Sequence, residues 1–428
     1  MRSAPCVGRA FSPLDEELRL VPGGLTPTVA EHLVHLATWM PFTPAAHMMQ
    51  RLLRVAVSEA TVRRHTEQAG AAYVAVQTAE VERLERETPL APAGPARQQL
   101  SVDGAMVPLV GGEWAEVKTL ALGTIGEPVW EAGAWQVHTG DLSYFSRLAD
   151  HETFGRLATV ETYRRGTETA GRVVAVVDGA DWQQGFIDLQ RTDAVRILDW
   201  GHAAEHLAQA GQALFGVGTA ATSEWLGVQL HELRHGDPER VLDELRRQQE
   251  QLATAGESPA LAVVRGRLAY LEKRRAQIRY AAFEAQGYPI GSGAVESANK
   301  LVVEARLKGA GMHWARPQVN PMVALRSAVC SDRWDAAWEQ VQLRLPDDAR
   351  TGTRRRRAAR AQAQAAVVSP RAVAVATHEV LSPPPLPAPL DGGGLPRPAP
   401  TIVQGRPTAD HPWKKQPLIH RRYTSAKR

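Results

Sequence analysis

Three acidic residues stand out by their surroundings. Asp103 in "SVDGA" and Asp178 in "VVDGAD" each follow an apolar run and precede Gly-Ala, which lets the backbone turn sharply and brings the carboxylate to the lip of a sheet. In an open sheet that lip is where sites collect. Glu296, in "GSGAVESANK", falls on a helix that opens with glycines and so starts close against its neighbours. Two carboxylates from adjacent strands and a third from a crossing helix hold a pair of divalent cations roughly 4 Å apart, the arrangement used for in-line displacement at phosphorus. Magnesium takes few carboxylates plus waters and phosphate oxygens, so Asp and Glu are its expected ligands, with manganese a substitute. Lys300, one turn beyond Glu296, shares its face and is placed to reach a phosphate. Each residue alone has a plainer use: strand-end aspartates form turns or cap helices, and a helical glutamate is usually a solvated charge.

A second constellation competes. His202, Glu205 and His206 match H-x-x-E-H, in which two histidines on one helical face bind zinc and the glutamate serves as general base, with Glu284 as a distant third ligand. That reading leaves Asp103, Asp178 and the Glu296 segment without a role. A third reading is a DNA-binding protein without catalysis.

Several elements must position these residues. From Thr26 to about Arg86 the apolar spacing is helical, and residues 41–70 read as helix, turn, helix with Ser58 as N-cap. The second helix carries Arg63 and Arg64, compatible with a DNA reader of the helix-turn-helix kind. "ETPLAPAGPARQQ" marks a linker. "LSVDGAMVPLV" and "WAEVKTLALGTI" read as strands joined by a glycine turn, "AWQVHT" as a third strand, and Leu142 to Arg165 as helical. "GRVVAVVDGADW" has the continuous apolar run of a buried central strand, and "DAVRILDWGHAAEHLAQAG" gives one more strand and a helix. From Thr219 to Glu284 the chain is helical and charge-rich, and helices continue to about residue 345.

The chain has 428 residues, enough for more than one domain, and a net charge of +4 that hides an asymmetry. From Thr351 onward there are 14 Lys/Arg against 3 Asp/Glu, a balance of +11, which leaves −7 for everything before. The tail, with Arg354, Arg355, Arg356 and Arg357 in one run and then "LSPPPLPAPLDGGGLPRPAPT", is expected to be disordered and to meet a polyanion. Arg306 and Lys308, beyond Glu296, either line a DNA channel or favour the helix C-terminus through its dipole, and Trp314 is either a half-buried aromatic or placed to stack on an exposed base. No apolar run reaches the roughly 18 residues that span a bilayer, so an intracellular protein without a membrane partner is expected. Two cysteines, Cys6 and Cys330, exclude a disulfide framework and a four-cysteine zinc site within one chain.

Taken in order, "VDGA", "VVDGADW", "LDWGHAAEHL", "YPIGSGAVESANK", "RLKGAGMHW" and "MVALRSA" resemble the bacterial insertion-sequence transposases of the DDE type, closest to the ISKra group and more distantly the mutator-like transposases. The resemblance runs from about "FSPLDEEL" to "RWDAAW". It implies an α/β chain with a ribonuclease-H-like core, a mixed five-stranded sheet with helices, interrupted by an all-α insertion. By motif, Asp103, Asp178 and Glu296 become the three metal-holding acids, 75 and 118 residues apart, and Asp199 and His202 a D-x-x-H pair that positions substrate or backbone. The implied partners are double-stranded DNA, as element ends and target, and a second copy of the chain on that DNA. Relatives often carry a cysteine-paired zinc segment ahead of "PLDE", whereas Cys6 has no companion there. The expected organisation is an irregular 1–25, a helical DNA-binding 26–95, core 96–215, helical insertion 216–286, core 287–346 and basic tail 347–428.

Overall fold

The computed structural model describes residues 25–131 and 134–345, together with 402–403 and 406–407. The chain divides into two units, residues 1–364 and 365–428; in the second, Ile402–Val403 pairs antiparallel with Arg406–Pro407. The Arg354 to Arg357 run and residues 1–24 lie outside the described residues.

Among the described residues, the first unit opens with three helices, α1 (Pro27–Trp39), α2 (Phe42–Leu53) and α3 (Glu59–Glu87). Their starts follow local chemistry. The Thr26 hydroxyl accepts from Val29 N ahead of Pro27, and the Ser58 hydroxyl accepts from Thr61 N at 3.2 Å, so the helix–turn–helix reading of residues 41–70 holds at the level of the elements.

A five-stranded mixed sheet follows, in the order β5-β2-β1-β6-β7. Strands β1 (Arg97–Pro108), β2 (Trp114–Ile125) and β5 (Thr139–Arg147) are antiparallel neighbours, while β1, β6 (Arg172–Val177) and β7 (Val195–Leu198) run parallel. The third strand of the sheet is therefore Thr139–Arg147, and the helical start expected at Leu142 is incorrect. Its side chains alternate between two buried faces, Tyr144 to one and Phe145 to the other, a period of two that no helix satisfies. Helix α4 (His151–Arg164) begins only where the Asp150 carboxylate accepts from Thr153 N at 2.8 Å. "AWQ" belongs instead to β4 (Ala134–Gln136), which pairs with β3 (Val129–Glu131) in a separate hairpin.

One face of the sheet, with Leu100, Val102, Val173, Ala175 and Val177, packs on α4, on α5 (Asp181–Gln190) and on Val81 of α3. Of the opposite face, the β6–β7 side packs on α6 (Trp200–Phe215) and a helical layer, α7 (Ala220–His235), α8 (Pro238–Ala255), α9 (Pro259–Lys273) and α10 (Tyr280–Ala285). The β1–β2–β5 side of that face packs on α11 (Gly293–Ala298), a π-helical segment Asn299–Glu304, α12 (Ala305–Leu307) and α13 (Arg316–Cys330). Among the described residues, a last helix covers 334–345.

Helices α1 to α3 share a core with α13 and the last helix: Leu33, Met49, Val62 and Tyr73 pack with Leu325, Trp334 and Trp338. Gly70 is required there, because a Cβ on it would stand 2.4 Å from the Pro321 carbonyl oxygen. Two buried arginines bind the same regions together. Arg306 donates to the Ala37 carbonyl at 2.9 Å, and Arg326 donates to Thr38 O at 3.1 Å and to the carbonyls of Leu301 and Val302 in the π segment. A π turn displaces carbonyls from the regular ladder, and Arg326 supplies them with donors.

No helix among the described residues is long and apolar enough to cross a membrane.

Candidate functional site

The parallel register builds the site. The β1–β6 ladder ends at Leu100 with Ala175 and the β6–β7 ladder at Val177 with Leu198; counted on by three residues and by one, Asp103, Asp178 and Asp199 follow as a rank at one level beyond the ladders, near enough that the Asp178 charge acts on Asp103. Asp199 N donates to Val177 O at 2.8 Å, which closes that rank at the β7 end. Side-chain alternation puts Asp103 on the face that α11 covers, since Ala105 and Val107 pack against Val295 and Ala298.

Asp103 Oδ1 accepts from Gly104 N at 2.7 Å, and Oδ2 accepts from Asn299 Nδ2 at 2.8 Å. Burial raises its pKa, the Gly104 N–H works against that rise, and the nearby charge of Asp178 adds to it. Asp178 Oδ1 accepts from Ala180 N at 2.8 Å in a turn held on two sides. From α5, Gln183 accepts Gly179 N and Ala180 N and donates to Val102 O at 3.0 Å, tying the turn to β1. From α9, the Tyr270 hydroxyl donates to Asp178 O, and from the residue that caps α9 the Arg274 guanidinium donates to Gly179 O. Gly179 has φ +88°, and a Cβ there would stand 2.5 Å from Arg274 Nε.

Asp199 caps α6. Its Oδ2 accepts His202 N at 2.9 Å and the His202 ring Nδ1–H at 3.0 Å, and its Oδ1 accepts Ser292 N at 2.6 Å. Burial alone would push this carboxyl up, but the hydrogen bonds from His202 and Ser292 outweigh it and hold the pKa down to about 2. In return the Asp199 hydrogen bond raises His202, against the effect of burial, and the charges of Asp178 and Asp103 raise it further.

Glu296 is exposed, and its Oε1 accepts from the Ser292 hydroxyl at 3.1 Å. Ser292, Glu296 and Asn299 stand at i, i+4 and i+7, the spacing of one helical flank. The first of them touches Asp199 and the last touches Asp103, so the segment lies along the aspartate rank. The three acids nonetheless do not close around a common point: among the described residues no three His, Cys, Asp or Glu side chains lie together as an ion-holding group. The oxygens present are hard donors, Asp103 and Asp178 with the carboxamide of Asn299 between helix and strand, and this chemistry suits magnesium or manganese.

Other expected site residues fall elsewhere. Lys300 is exposed in the π segment, Lys308 pairs with Glu304 at 2.6 Å, and Arg63 pairs with Glu59 beside an exposed Arg64. Arg306 is corrected: it is 2 % exposed, lodged between the rings of Phe42 and Trp314 with its pKa lowered by burial to about 10, and it cannot line a surface channel. Trp314 is corrected with it, being 7 % exposed, bridged to β1 through Pro108 O and Val110 N, and donating its indole N–H to Leu307 O at 3.2 Å.

The zinc constellation is taken up differently. His206 stacks on Tyr270 with ring centroids 3.8 Å apart, and its Nδ1 accepts from the Arg267 guanidinium at 3.1 Å. Burial and that neighbouring cation push its pKa down to about 4, and a guanidinium against the ring nitrogen opposes a metal ion there. Glu284 pairs with Arg234 at 2.9 Å, and Glu205 accepts from Gln209.

Asn299, Ser292, Gln183, Tyr270 and Arg274 were not singled out by sequence reasoning. Only the first two stood in a motif with a visible signal, lying within "GSGAVESANK". Comparison with protein-family models finds no match, and comparison with curated proteins finds none.

Proposed function

We propose that the protein is a DNA transposase that cleaves and joins phosphodiesters at the Asp103–Asp178 site, on a sheet of ribonuclease-H-like type with α7 to α10 as a helical insertion. The observation that carries this reading is the rank of strand-end aspartates with the Glu296 segment laid along it, Ser292 on Asp199 and Asn299 on Asp103. A pair of magnesium ions, when bound, supplies positive charge to the attacking and leaving oxygens of an in-line displacement.

The chain's own residues do the rest. Asp103 and Asp178 would hold the cations, with Glu296, one turn from Asn299, as the third acid. Gln183, Tyr270 and Arg274 fix the turn that aims Asp178. His202, whose proton the Asp199 carboxylate favours, holds Asp199 in place and faces the rank, where it steers a phosphate when protonated. Water first attacks phosphorus at the element's end, forming one P–O bond and breaking the bond from phosphorus to the element's 3′-oxygen, so that a 3′-hydroxyl is left on the element and a 5′-phosphate on the flanking strand. That hydroxyl then attacks a target phosphate, forming one P–O bond and releasing the target's 3′-oxygen as a new hydroxyl.

The partners in this reading are double-stranded DNA, approached through Arg63, Arg64, Lys300, Lys308 and the basic tail, and a second copy of the chain, because two ends are joined. The site of action is the cytoplasm, on the nucleoid. Purified protein with DNA carrying the element's own ends should yield 3′-hydroxyl nicks and joined products with Mg²⁺ or Mn²⁺ and none with chelator. Asp199→Ala and His202→Ala should slow both steps by tenfold or so while keeping the dependence on metal. Binding without cleavage under any divalent cation would leave a DNA-binding protein and refute the enzyme.

A further inference from the structure

Asn299 is 6 % exposed and sits where α11 passes into the π segment. Its Nδ2 donates to Asp103 Oδ2 at 2.8 Å, yet its Oδ1 is buried without a hydrogen-bond partner. Leaving a buried carbonyl oxygen unsatisfied is costly, and such groups persist where something else uses them. Turning the amide end for end does not remove the difficulty, because Oδ1 would then face the Asp103 carboxylate, acceptor against acceptor. The unmet need of this oxygen, beside an amide nitrogen held by Asp103, is for a donor or a positive centre. Magnesium and manganese take one or two carboxylates and fill their remaining positions with neutral oxygens.

We propose that Asn299 belongs to the divalent-cation site, its carboxamide oxygen serving as the neutral donor that joins the Asp103 and Asp178 carboxylates. This rests on the reading of the aspartate rank as a cation site, and it accounts for the donor set being incomplete when only acids are counted. The π segment has a part in it. It begins at Asn299 and absorbs the change of phase that lets Asn299 face Asp103 while Val302, Val303 and Leu307 remain in the core.

The test is Mn²⁺ binding to the full-length protein without DNA, measured by titration calorimetry on wild type, Asn299→Ala, Asn299→Asp, Asp103→Asn and Asp178→Asn. Thermal unfolding in chelator serves as the folding control. Asn299→Ala should weaken Mn²⁺ binding by about tenfold or more, and Asn299→Asp should recover it, because a carboxylate oxygen replaces the amide oxygen. If Asn299 served only to hold Asp103 through its N–H, Asn299→Asp would bind as poorly as Asn299→Ala, having no N–H to give; that result overturns the proposal. So does wild-type affinity in Asn299→Ala alongside lost affinity in both aspartate variants, which leaves the rank a cation site without Asn299. Undiminished binding in Asp103→Asn and Asp178→Asn as well would overturn the cation reading itself. Should Asn299→Ala fail to fold, Asn299→Asp against wild type decides the matter.

Discussion

At the residue scale, the two histidines of α6 sit one turn apart in opposite electrostatic settings. His202 faces three aspartates and is raised; His206 faces burial and Arg267 and is lowered to about 4. Their linkage to stability has opposite sign. His202 adds stability that is fully present below about pH 6.5 and is lost as pH rises through its folded value. His206 refuses a proton that the unfolded chain accepts, so stability falls as pH drops from about 6.5 toward 4. Asp199 works in a lower window, its contribution present above about pH 4 and lost toward pH 2. His206→Phe keeps a ring against Tyr270 and should flatten the decline in Tm between pH 6.5 and 4, although it lowers Tm at pH 7 by removing Arg267's acceptor. An unchanged slope would mean that His206 titrates normally in the folded protein. The H-x-x-E-H pattern was legible as a spacing, but its meaning was not, because Arg267 and Tyr270 arrive from a helix some sixty residues later.

Among the elements, α9 has the most specific task. Its Tyr270 and its C-cap Arg274 converge on the carbonyls of Asp178 and Gly179, and Gly179 is held at a φ that only glycine adopts freely. Gly179→Ala should therefore cost about 1–3 kcal/mol in urea unfolding and should reduce cleavage more than this loss of stability explains, since the displaced turn carries Asp178. Wild-type cleavage in a folded Gly179→Ala protein would show that the turn's position is immaterial.

The strand-end aspartates were legible as elements because an apolar run followed by Asp-Gly-Ala ends a buried strand in a turn. β5 was misread because "LSYFSRLADHETFGRL" joins a strand buried on both faces directly to a helix, and such a strand lacks the polar–apolar alternation that separates the two periods. Arg306 and Trp314 were misread for a related reason. A cation two residues from a lysine suggests a basic surface, and only tertiary packing reveals that Arg306 points between two rings toward the end of α1.

On the scale of the whole molecule, the helices expected to read DNA share one core with the helices that follow the Glu296 segment, and Arg306 and Arg326 fasten α1 to that segment directly. The central claim concerns the rank itself, and the most direct measurement is strand cleavage by Asp103→Asn, Asp178→Asn and Glu296→Gln, each assayed in Mg²⁺ and in Mn²⁺ beside DNA binding and the zinc content of the wild type. Each change removes a charge and almost no volume. All three variants should bind DNA about as well as wild type and cleave at least a thousandfold more slowly, a loss of roughly 4 kcal/mol in transition-state stabilisation. Full cleavage by Asp103→Asn or Asp178→Asn, with stoichiometric zinc that is lost in His202→Ala or His206→Ala, would contradict the account.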